Sequence, residues 1–93
     1  MRINFDLGEL AAFVAVAERM NFRAASEALF ISPSALSRRI DRIEEALGVR
    51  LFDRTTRRVS LTEDGEQFLT HAGEALAALQ NAISDVGDRA ERR

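Results

Sequence analysis

A helix that carries its own start and stop signals leaves a short chain little freedom, and residues 32 to 48, SPSALSRRIDRIEEALG, carry both. Ser32 is a favoured N-cap, and Pro33 suits the first helical position, where its missing N–H costs nothing. Leu36, Ile40, Ile43 and Leu47 follow at spacings of 4, 3 and 4, one continuous apolar stripe, and Gly48 is placed to end the helix in a left-handed cap. The core face is thereby fixed. At about 100° per residue, Ser34, Ser37, Arg38 and Asp41 fall on the opposite side, with Arg42 beside them.

The segments on either side give this helix a context. DLGELAAFVAVAE opens with Asp6 and has Glu9 three residues on, a capping-box arrangement, with Leu10, Phe13, Val14 and Ala17 at helical spacing. This predicts a first helix of about 12 to 14 residues. NFRAASEALF begins with Asn21 as N-cap and predicts a short, alanine-rich second helix, with Ala25 and Leu29 on one face. The residues FISP then make the short connection of a helix-turn-helix, with Ile31 available to pin the turn to the core. After the third helix, RLFDRTTRRVSLT places Leu51 and Phe52 before a polar Arg/Thr stretch and alternates Val59 and Leu61 with Ser60, the pattern of a two-stranded hairpin with an arginine-rich tip.

Helix three begins with short side chains and exposes an arginine one turn later, so its N-terminal end suits a groove about 12 Å wide. Taken alone it reads first as an ordinary amphipathic helix with a solvated face. The basic hairpin that follows has the position of a wing, whose arginines suit phosphates or a narrow minor groove. Charge supports this locally: the net charge is -2, yet residues 31 to 58 hold seven arginines against four acids, and residues 59 to 93 three arginines against seven acids.

MNFRAASEALFISPSALSRRIDRIEEALGVRLFDRTTRRVSLTEDGEQFL resembles the N-terminal DNA-binding domain of LysR-type transcriptional regulators, a bacterial family, in the ordered series AASEAL, SALSRRI, EEALGVRLFDR and SLTEDG. The fold class expected is mainly α, a winged helix-turn-helix over residues 1–61 (three helices plus a two-stranded wing), followed by a long linker helix over 62–93. The resemblance implies that Ser34, Ser37 and Arg38 face bases and phosphates in the major groove, while Arg57 on the wing enters the minor groove. The full expected DNA-binding set is Ser32, Pro33, Ser34, Ser37, Arg38, Arg42, Arg54, Thr55, Arg57 and Arg58. One departure affects sequence preference: the family usually has Gln-Pro after the serine, and here the pair is Pro33-Ser34.

The last segment has its own signal. Thr62 is the expected N-cap, with Glu63, Asp64 and Glu66 in a first turn where the helix dipole favours negative charge. Leu69, Ala72, Leu76, Leu79, Ile83, Val86 and Ala90 step by 3 and 4 as a heptad seam. A helix running to about Arg89 is on the order of 40 Å long, more than so small a globule covers, so Leu69, Ala72, Leu76, Leu79, Ile83 and Val86 are expected at a homodimer interface, with Phe68 and Ala75 serving the domain's own core. The resemblance agrees, because this segment is similar to the linker helix that pairs two subunits antiparallel and leads to an effector-binding domain. That domain and its small-molecule effector are expected outside this chain, and no cofactor is expected within it.

The expected partners are double-stranded DNA and a second copy. The longest apolar runs fall far short of a membrane span and no signal-peptide pattern precedes them, so a cytoplasmic protein is expected. No cysteine is present, which removes disulfides and thiolate zinc sites as staples. An enzyme is not expected: His71 is the one histidine, with no triad partner, glycine-rich phosphate loop or metal-ligand spacing. The rival of another class is a helical interaction module whose seam is its function and whose arginines only solvate it.

Overall fold

The first helix forms where its cap is most complete. In the computed structural model, which describes residues 2–55 and 58–91, the backbone N–H of Glu9 donates to Asp6 Oδ1 (2.8 Å) and that of Asp6 to Glu9 Oε1 (3.0 Å), a reciprocal capping box. Helix α1 (Leu7–Arg19) follows and supplies the buried centre with Phe13 and Val16. Helix α2 (Phe22–Leu29) is capped by Asn21, as expected, and α3 (Pro33–Leu47) by Ser32, whose hydroxyl accepts from the N–H of Ala35 at 3.1 Å. Gly48 closes α3 at φ 74, the left-handed cap expected of it.

Leu36, Ile40 and Ile43 are fully buried against α1, and each such side chain contributes roughly 1.5 to 3 kcal/mol on leaving water. Leu47, the fourth member of that stripe, lies at its C-terminal end and is more than a third exposed. Strand β1 (Phe52–Asp53) pairs antiparallel with β2 (Ser60–Leu61), Phe52 opposite Leu61 and Asp53 opposite Ser60. Leu51 and Phe52 anchor this small wing in the core, the Phe52 ring 5.4 Å from that of Phe13.

Helix α4 (Glu63–Glu91) has 29 residues and at about 1.5 Å per residue is about 44 Å long. It gives the molecule its 52 × 32 × 19 Å extents. Its cap is Thr62, whose hydroxyl accepts from the N–H of Gly65 (3.0 Å) while donating to the carbonyl of Arg50 (2.6 Å). One threonine thus starts the helix and ties it to the loop leaving α3.

The expected boundary between residues 61 and 62 does not separate two cores. Ala72 is buried within the same core as Phe13, and Phe68 packs its ring 5.2 Å from Phe13 and 6.2 Å from Phe5. The expected role of Phe68 is therefore met, but three residues expected at a dimer seam, Leu69, Ala72 and Leu76, also pack on the domain's own core. The physical reason is that α1 leaves an apolar strip long enough to take three turns of α4, so the inner half of the stripe is covered at home. Beyond it the stripe is bare: Leu79 is 36%, Ile83 63% and Val86 66% exposed.

Two helix ends carry a conformation the sequence does not announce. Met20 (φ 51) and Phe30 (φ 57) close α1 and α2 in the left-handed region, where glycine is at ease and a bulky residue is not. Phe30 is 95% exposed, so its side chain returns little packing. Phe30→Gly is expected to stabilise the domain by about 1 kcal/mol, read as a higher unfolding temperature at an unchanged fold. An unchanged or lower temperature would show that the ring stabilises the turn after all.

Candidate nucleic-acid interface

The outward face of α3 is built by elimination of what its other faces do. Glu44 is 4% exposed and its carboxylate accepts from the backbone N–H groups of Leu51 (2.7 Å) and Phe52 (3.2 Å). It also pairs with Arg50 Nη1 (3.2 Å) and Arg54 Nη2 (3.4 Å). On the opposite flank, Arg42 reaches toward Glu9 Oε2 at 3.9 Å. Arg39 lies back over Gly8 at the start of α1, where an added methyl would stand 3.4 Å from its Nη1. Between the flanks Arg38 is exposed and, among the described residues, enters no hydrogen bond or ion pair.

Ser34 stands one turn before Arg38 and is exposed, its hydroxyl 3.2 Å from that of Ser32. Ser37 is half-buried on the edge of this face and Pro33 is exposed at the first helical position. The N-terminal end of α3 thus presents short side chains and one outward guanidinium. That is an arrangement suited to polyanion edges and to hydrogen-bonding base edges.

The wing is placed beside it. Asp53 accepts from the Thr55 hydroxyl (2.6 Å) and the Thr55 N–H (2.9 Å), which fixes the turn leaving β1. Those two bonds, the hydroxyl's first, hold the Asp53 carboxyl below the usual carboxylate range. Thr55 and Arg58 are exposed, whereas Arg57, expected in the minor groove, lies outside the described residues.

Two expected DNA ligands are placed differently by the structure. Arg54 has Nη2 3.2 Å from Asp41 and 3.4 Å from Glu44, and its guanidinium lies 5.0 Å from the centre of the Phe22 ring, so it is engaged inside the domain. Arg42 belongs to the α1 flank rather than to the centre of the outward face. Spacing along the sequence does not distinguish these arginines, because their partners Glu9 and Glu44 become neighbours only through tertiary packing. Sequence reasoning also missed Glu44 itself, since a glutamate on a helix looks like a solvated residue until the loop of Leu51 folds over it.

Among the described residues no three acidic, histidine or cysteine side chains are grouped to hold a metal. Nor, among the described residues, is any helix long and apolar enough to cross a membrane.

Comparison with known proteins places this geometry. The HTH-type transcriptional regulator PtxR of Pseudomonas aeruginosa is 49% identical over 88 residues, 94% of this chain and 28% of its own length. PgrR of Escherichia coli K12, another HTH-type transcriptional regulator, is 42% identical over 87 residues, 94% of this chain and 29% of its own. The chain therefore spans little more than a quarter of these relatives.

Among solved structures, a complex of the BenM DNA-binding domain with catB site 1 DNA superposes with a TM-score of 0.85 at 35% identity, covering 92% of this chain and 97% of that one. Vibrio fischeri DarR in complex with DNA gives 0.84 at 30% identity, covering 95% and 30%. Residues 7–66 match the family model of the bacterial regulatory helix-turn-helix protein, lysR family. With the winged helix-turn-helix, the long fourth helix and these matches in agreement, the chain belongs to the LysR family of bacterial transcriptional regulators.

Proposed function

We propose that this chain is a sequence-specific, double-stranded DNA-binding domain that works as a two-fold homodimer and performs no catalysis. The observation that carries the reading is the outward Arg38, flanked by Ser34 and Ser37 at the N-terminal end of α3, while Arg42, Arg50 and Arg54 face Glu9, Asp41 and Glu44 and Arg39 lies back over Gly8. Arg38 supplies the fork that fits a guanine edge or adjacent phosphates, and Arg57 and Arg58 supply charge on the wing. Similarity to two regulators captured on DNA supports it. A helical pairing module without DNA leaves the outward face of α3 unexplained.

Dimerisation is supported by apolar surface that one chain leaves bare. Leu79, Ile83 and Val86 project beyond the core. At the other end of the same helix an almost wholly apolar groove of about 380 Å³ is lined by Ile3, Phe5, Leu7, Leu10, Phe68 and Ala75, among others. A second copy laid antiparallel brings the bare stripe of each chain toward the groove of the other, as an isologous interface requires. Two recognition helices then meet successive major-groove faces of a partly palindromic site, half-sites about one helical turn or a multiple apart.

Selection of bound duplexes from a random-sequence pool tests the reading. The wild type is expected to enrich a partly palindromic sequence, and Arg38→Ala to cost about 1 to 3 kcal/mol on that sequence while random duplex loses less. A folded Arg38→Ala protein with undiminished preference would remove Arg38 from the reading surface.

A further inference from the structure

The wing is too small to hold its own direction. Its two strands have two residues each, and a hairpin of that size is not stable alone in water. Its orientation relative to α3 must come from its root. That root is fixed by Glu44 of α3, which accepts from two backbone N–H groups of the wing segment, and by Arg54, which follows β1 directly. The Arg54 guanidinium touches two other elements at once. It reaches Asp41 and Glu44 on α3 (3.2 and 3.4 Å) and lies over Phe22, the first residue of α2, at 5.0 Å.

Its side chain is 31% exposed, whereas Asp41 is 55% exposed and stands one turn beyond Ser37 and Arg38 on the outward side of α3. Both carboxylates are reached from Nη2 while the guanidinium lies over the Phe22 ring; a lysine side chain is one atom shorter and ends in a compact point charge, so it does not hold all three contacts.

We propose that Arg54 is a positioning residue for DNA recognition: clamped by Asp41, Glu44 and Phe22, it locks the wing to the recognition helix so that both elements meet DNA in one register. The proposal rests on the reading of this domain as a DNA-binding dimer and adds to it a residue that sets selectivity without being a DNA ligand. Rotation at the root is amplified at the wing tip, so loosening Arg54 misaligns the wing for the particular groove geometry of the selected site. Random duplex, which imposes no single register, is affected less.

The test compares Arg54→Lys with wild type on the duplex selected by the wild type and on a shuffled duplex, each over a range of salt, below the unfolding temperature and with the helical circular dichroism spectrum checked. Charge is kept, so a residue acting only as a positive charge near phosphate is replaced without loss. The expected result is about a tenfold loss on the selected duplex, a change within about twofold on the shuffled one, and an unaltered salt slope. Equal losses on both duplexes would make Arg54 a group for general docking rather than for selectivity, and unchanged preference, the outcome for a simple phosphate contact that lysine also makes, would remove the proposal.

Asp41→Asn, at an exposed position that leaves the core intact, is the second variant. On charge alone it should strengthen binding to every duplex, whereas release of Arg54 should lower preference for the selected one. The two losses should not add in the double variant, because both break one clamp; additive losses would mean that Asp41 reads DNA by itself and would overturn the coupling. A wild type that selects no duplex at all removes the domain's reading and this proposal together. A wild type that discriminates while Arg54→Lys discriminates equally well removes the proposal alone.

Discussion

Replacing Gly65 by alanine is expected to unfold the domain or leave it folded only at low temperature. Gly65 lies in the first turn of α4, buried against the loop that leaves α3. A Cβ at this position would fall well inside van der Waals contact with the carbonyl oxygen of Leu51 and stand 3.0 Å from Leu61 Cδ2. The obstacle is backbone, which no rotamer change relieves. Leu51 is itself held, its N–H bonded to Glu44 and its carbonyl accepting from the N–H of Thr62 at 3.0 Å.

To admit the methyl, α4 must shift away from the loop, which breaks the Thr62 cap and withdraws Phe68 and Ala72 from Phe13. Overpacking of this kind costs about 1 to 3 kcal/mol or more, a large part of the stability of a domain this size, and loss of the cap adds about 1. A thermal melt read by circular dichroism checks it. A Gly65→Ala protein melting within a few degrees of wild type would mean that the loop yields. Gly73 and Gly87, with nothing within 4 Å of an added Cβ, are the controls expected to accept alanine freely.

The second large effect is expected at the bare half of α4. Ile83→Asp puts a charge at the centre of the stripe formed by Leu79, Ile83 and Val86, and because Ile83 is 63% exposed in one chain the fold of that chain is untouched. Sedimentation is expected to show monomers where the wild type shows dimers. On DNA the second contact is then no longer effectively intramolecular, so a full site should lose on the order of a hundredfold or more of its advantage while a half-site binds as before. Should the variant remain dimeric and hold full sites as tightly as wild type, another surface pairs the chains.

How much of this was legible in the sequence depends on whether a feature is local. Caps and periodicity depend on residues within a few positions of one another, so Asp6 with Glu9, Asn21, Ser32 with Pro33, Gly48 and Thr62 all take their expected places. The outward set of Ser34, Ser37 and Arg38 was legible for the same reason, because the stripe of Leu36, Ile40 and Ile43 fixes the rotation of α3. Long-range pairings were not. Arg54 looks like one more basic residue on a wing, and only the fold brings it to Asp41, Glu44 and Phe22. The heptad seam of α4 gives no sign of where the domain's own core ends, so the division after Leu76 between covered and bare residues needed the packing of α1. Phe30 in a left-handed cap contradicts its local propensity, and nothing in its neighbours signals it.

On the proposed function, the face made by α3 and the wing binds duplex DNA through its arginines. Titration of wild-type protein against duplex at increasing salt measures it directly. Each phosphate contact releases counterions and contributes about -0.9 to the slope of log K against log salt. A dimer that sets several arginines on phosphates is therefore expected to give a straight line with a slope of about -4 or steeper, with the selected duplex held more tightly than random duplex at every salt concentration. Binding that is absent at the lowest salt, or indifferent to salt, would contradict the account.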